Sequence, residues 1–178
     1  MNRTIAAAVI CALTATIAAC KPPPTDADLR RATPAAEPTF ASAPLPSPDT
    51  KGAVWAHSPA HAGRLIYGIP GNPALLALEC LDEPGELPAL QITRISPADS
   101  GAGALLALVG NGHIGRIAVD AVKVNGASVW QGRAPAGMTL WEPLAGPRQL
   151  TVTVPGAGMV TVNPSTLPME LIERCRGA

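Results

Sequence analysis

Aromatic side chains are scarce: three Trp, one Tyr and one Phe in 178 residues. Hydrophobic residues make up 47 % of the chain, but 32 of them are alanine, so large apolar side chains are few. Charge of one sign is also lacking, with 13 Lys+Arg against 13 Asp+Glu. That balance excludes a strongly basic nucleic-acid binder and an acidic disordered tail. The chain has only three His, no Cys-x-x-Cys spacing and no Gly-x-Ser-x-Gly elbow. The usual sequence marks of a zinc ribbon and of an α/β-hydrolase are therefore missing. The uncharged run near the N-terminus, Thr4 to Ala19, has 16 residues. A membrane-crossing helix wants about 20.

What is there begins with that run. Arg3 supplies a positive start, the run supplies an apolar core, and small residues precede Cys20. This is the layout of a secretory signal peptide. Its last four residues, Ile17-Ala18-Ala19-Cys20, resemble the lipobox of bacterial lipoproteins. The resemblance covers residues 1–20 and implies that residues 1–19 are a signal peptide. It further implies that the Cys20 sulfur receives a diacylglyceryl group and that the new N-terminus is acylated, with palmitate as a typical chain. Two or three chains hold firmly where one only lingers, because each buried methylene adds about 0.8 kcal/mol. Lys21 does not match the aspartate that retains such proteins in the inner membrane. The resemblance thus points to the outer membrane, facing the periplasm. The competing reading is an ordinary signal peptide cut near Ala19, with an incidental cysteine.

Residues 20–52 read as a disordered linker behind the lipidated Cys20. Eight prolines fall between residues 21 and 50. Each fixes φ and removes a backbone donor, so no helix or strand pattern survives. Such a Pro/Ala tether has polyproline II character and extends about 3.1 Å per residue. Cys11 leaves with the signal peptide and Cys20 carries lipid, so Cys80 and Cys175 remain as a pair. In an oxidising compartment they are expected to form a disulfide.

Residues 53–178 read as an all-β domain, a small antiparallel sandwich or barrel of about eight strands. Leu90 and Ile92 share a face with Arg94, and Ile117 with Val119. Asn111-Gly112 and Asn125-Gly126 are strong hairpin signals. A third hairpin turns at Pro155-Gly156-Ala157-Gly158, with Val and Thr residues on opposite faces of its arms. Ala98 to Ala104 has room for a short helix, and Met169 to Cys175 reads as a last strand tied to Cys80. No segment shows helical periodicity over three turns.

Several motifs invite chemistry. Gly110-Asn111-Gly112-His113-Ile114-Gly115 fits the Gly-x-Gly-x-x-Gly pattern of dinucleotide-binding folds. An alternating, β-branched segment follows where that fold needs a helix, so a tight hairpin is the better reading and no cofactor is expected. His57 and His61 are four apart, but Pro59 lies between them and denies them a shared helix face. No metal site is expected. Asp82, Glu83 and Glu86 surround Pro84-Gly85 as a charged turn. Trp130 fits a core strand position, and Trp141 stands out as a candidate surface anchor for a partner. No catalytic residue is assigned.

Two readings follow. In the first, a non-enzymatic lipoprotein domain binds or braces an envelope protein or cell-wall component. The arrangement of lipobox, small β domain, Cys80 and Cys175 resembles that of lysozyme-inhibitor lipoproteins, and this resemblance implies inhibition of a lysozyme. In the second, an envelope hydrolase uses His57, His61 or His113 with a Ser or a carboxylate. The sequence leaves the oligomeric state open.

Overall fold

The structure is a computed structural model and describes residues 43–177. Cys20, the lipobox and most of the 20–52 linker lie outside the described residues. No helix among the described residues is long and apolar enough to cross a membrane.

Nine antiparallel strands form one sheet. They are β1 (Val54–His57), β2 (Arg64–Gly68), β3 (Leu76–Leu81), β4 (Ala89–Arg94), β5 (Gly103–Gly110), β6 (His113–Val124), β7 (Ala127–Pro135), β8 (Leu150–Thr153) and β9 (Met159–Val162). Their spatial order is β1-β2-β3-β4-β7-β6-β5-β8-β9. The sheet curls into a nearly closed barrel, so the all-β expectation holds, with nine strands. Successive side chains alternate between the two faces of a strand. That alternation sends Leu65 and Tyr67, Leu76 and Leu78, Leu90 and Ile92, and Ile117 and Val119 into one core. Trp130 joins them as expected.

The hairpin signals work through backbone geometry. Asn111 and Gly112 have φ of 50° and 82°, and Asn125 and Gly126 have 49° and 84°. A two-residue turn with both φ values positive matches the twist of its strands, and Asn-Gly suits it best. The Gly-x-Gly-x-x-Gly segment is therefore the β5–β6 hairpin. Its last glycine, Gly115, lies under the Leu140 carbonyl, with which any Cβ would collide.

Two sequence expectations are corrected. Met169 to Cys175 is not a strand but belongs to a helix, α1 (Leu167–Arg176). A strand would turn Leu171 and Ile172 to opposite faces, whereas the helix buries both together with Cys175. Pro168 sits in the first turn, where its missing N–H costs nothing. Glu170 near the start and Arg174 and Arg176 near the end complement the helix dipole. The second correction is at Ala98 to Ala104, which is a loop turning into β5. The Ala102 N–H donates to the Asp99 carbonyl at 3.0 Å, and Gly101 takes a φ of 76° that ends any helical run.

Cys80 on β3 and Cys175 on the last turn of α1 form the expected disulfide, with their Cα atoms 5.6 Å apart. The helix lies against β1 to β4, chiefly β3. Arg176 extends the attachment, donating to the Ala136 carbonyl at 2.9 Å and to Glu142 at 2.7 Å.

The seam between β1 and β9 is bridged by side chains. The Tyr67 hydroxyl donates to the Thr161 carbonyl at 3.0 Å and accepts from the Asn163 N–H at 2.9 Å. The Asn163 amide donates to the carbonyls of Thr50 and Ala53 at 2.9 and 2.8 Å. Residues just before β1 lie along the β8–β9 hairpin. The Leu45 N–H donates to the Gly156 carbonyl at 2.8 Å, and the Ser47 hydroxyl accepts from the Met159 N–H at 3.0 Å.

Desolvation raises the Tyr67 pKa above its ordinary value, against a smaller lowering by the Asn163 hydrogen bond. The unfolded phenol ionises near pH 10. The folded state thus binds more protons above that pH, and stability that is fully present below it is lost as the pH rises. Tyr67 is the only tyrosine in the chain. Its absorbance at 295 nm should rise at a higher pH in native buffer than in denaturant, with Tyr67→Phe as the blank. Coincident titrations in the two solvents would contradict the burial argument.

Candidate functional site

The candidate site lies at the end of the barrel where β4 finishes. Leu90, Ile92 and Arg94 share the inward face of β4, so strand alternation delivers a guanidinium into the interior. Arg94 is 3 % exposed. One terminal nitrogen donates to the carbonyls of Leu75 and Ile95 at 3.2 and 3.0 Å. The other donates to the Ala157 carbonyl at 2.9 Å, in the turn between β8 and β9. One side chain thus ties β4 and the residue before β3 to a turn 63 residues away. Desolvation lowers the Arg94 pKa from the ordinary arginine range. Among the described residues its partners are backbone carbonyls, whose partial charges offset part of its burial.

Outside this end, the β4–β5 loop folds against the β6–β7 hairpin. The Ala98 N–H donates to the Ser128 carbonyl at 3.1 Å, and the Ala121 N–H to the Ala102 carbonyl at 2.8 Å. Between loop and hairpin runs a shallow groove of about 480 Å³. Ser96, Pro97, Ala98, Ser100, Lys123 and Ser128 are among its lining residues. Ser96 is buried, and its Oγ has no hydrogen-bond partner among the described residues. The same is true of Arg94 Nε and Trp130 Nε1, and Arg94 and Trp130 are direct cross-strand neighbours. Its lining combines serine hydroxyls and the Lys123 ammonium with the apolar Ile95, Ala127 and Val129. No His or Cys lies in its wall.

The residues singled out by sequence are dispersed. His57 ends β1, His61 lies in the β1–β2 loop and His113 begins β6, all exposed. The described residues contain no cluster of three His, Cys, Asp or Glu able to hold a metal ion. Asp82, Glu83 and Glu86 are exposed in the β3–β4 loop, as a charged turn should be. Cys80 and Cys175 serve as a structural tie.

Trp141 is corrected from surface anchor to core residue: it is 0 % exposed. It closes a 3-10 turn, Thr139–Trp141, in the long β7–β8 connection. Its Nε1 donates to the Pro135 carbonyl at 3.1 Å. Asn111 holds the other side of this connection. Its side-chain nitrogen donates to the carbonyls of Pro143 and Gly146 at 2.7 and 3.3 Å, and its Oδ1 accepts from the Arg148 N–H at 3.1 Å. The groove at Ser96 carried no sequence signal, since it arises from packing a loop on a distant hairpin. Arg94 did carry one, because it occupies the same strand face as Leu90 and Ile92.

No known protein family, characterised protein or solved structure matches this chain.

Proposed function

We propose that this chain is a lipid-anchored protein of the bacterial envelope, whose β domain binds or braces another envelope component without catalysing a reaction. The observation that carries the reading is the segment Ile17-Ala18-Ala19-Cys20 behind Arg3 and an uncharged run. The Cys80–Cys175 cross-link supports it, because disulfides persist in oxidising compartments and are rare in the cytosol. The exposed groove between the β4–β5 loop and the β6–β7 hairpin supports a contact role for the domain. On this reading Cys20 bears the lipid and the outer membrane is the site of attachment.

Fractionation with intact mass measurement tests the proposal. The membrane-extracted parent should begin at Cys20, carry the mass of two or three acyl chains and fall two daltons short for the disulfide. A Cys20→Ser variant should move to the soluble fraction. A variant that stays with membranes as the parent does, or a purified parent that retains Met1, would sink the proposal.

A further inference from the structure

The outer wall of β5 and β6 carries an apolar face with a charge pattern that complements itself. The registers arrange it in rows across the strands. Val109 pairs with Ile114, Ala107 with Arg116, Leu105 with Ala118 and Gly103 with Asp120. In the central row Leu105 is 55 % exposed. Neither Arg116 nor Asp120 forms an ion pair with another described residue. They stand two residues either side of Ala118, on the same face of the same strand.

We propose that this wall docks against a second copy of the same chain, across a two-fold axis running along the Leu105–Ala118 row. A closed dimer uses the same patch on both subunits, so whatever lies at one distance from the axis meets whatever lies at that distance on the other side. On this axis Leu105 meets Leu105, Ala118 meets Ala118, and each Arg116 faces the other copy's Asp120. The charge pattern selects this row. An axis one row away, along Ala107–Arg116, would set Arg116 against Arg116, and like charges at an interface repel. The convex wall limits the contact to the central rows, where the small Ala118 and Gly103 allow close approach. The small contact makes the dimer a weak, reversible one.

Oxidative cross-linking of the full chain in membranes tests this. Leu105→Cys lies on the axis and should give a disulfide-linked dimer on a non-reducing gel. Leu87→Cys, on a residue 78 % exposed in the β3–β4 loop, reports random collision. The expected result is a strong dimer band for Leu105→Cys over the Leu87→Cys background. Adding Arg116→Asp should reduce that band about tenfold, since it faces two pairs of like charges. Adding Asp120→Arg to the Arg116→Asp chain should restore it. Equal bands for Leu105→Cys and Leu87→Cys overturn the dimer. A band indifferent to Arg116→Asp overturns the axis.

Discussion

Removing the Cys80–Cys175 cross-link is expected to lower the unfolding free energy by about 4 to 5 kcal/mol. The bond joins residues 95 apart in sequence. Closing a loop of that length removes so much chain entropy from the unfolded state that the stabilisation comes to about 4.7 kcal/mol. A small domain has only about 5 to 15 kcal/mol in all. The loss is therefore a large share of what this one has. Few large aromatic side chains are available to replace it. The variant to use is the double substitution Cys80→Ala with Cys175→Ala, which leaves no stray thiol. Urea unfolding should show a much lower midpoint than the parent, and the parent in reducing buffer should fall toward it. A drop of less than about 1 kcal/mol would mean that α1 is held by packing alone, and that the cross-link restrains an unfolded chain already compact.

Trp141→Ala is expected to cost about 3 to 5 kcal/mol, the usual loss when a fully buried aromatic is cut back to a methyl group. Two terms contribute. The ring leaves a cavity in the β7–β8 connection, and the Pro135 carbonyl loses its 3.1 Å partner. Trp141→Phe separates them, because it keeps much of the packing and removes the bond. The reference is Leu87→Ala, which should stay within about 0.5 kcal/mol as an exposed loop change. If Trp141→Ala is as mild as that reference, the ring is not in the core. The first and second effects should not simply add. Arg176 links α1 to Ala136 and Glu142, on either side of Trp141, so loosening the helix loosens the turn.

The hairpins were legible in the sequence because their constraint is local. Asn111-Gly112 and Asn125-Gly126 need two positive φ values, and few residue pairs supply them. The disulfide followed from counting cysteines, with the other two allotted to the signal peptide and the lipid. The helix at Leu167–Arg176 was hidden by its length. In ten residues a helical period competes poorly with a short apolar run, although Pro168 near the start and the basic residues near the end were both visible. Trp141 was misread for a different reason. Its neighbours Glu142 and Pro143 look like an exposed turn, and only the folding of residues 136–149 back onto the barrel covers the ring. The groove at Ser96 was beyond reach, because its two walls come from segments about 25 residues apart that no local pattern connects.

The position of α1 bears on how such a chain is made. Leu171 and Ile172 belong to the same core as Leu65 and Leu78, yet they leave the ribosome about a hundred residues later. Order of synthesis and order of packing run against each other. The inner faces of β1 to β4 therefore lack part of their cover until α1 has been made.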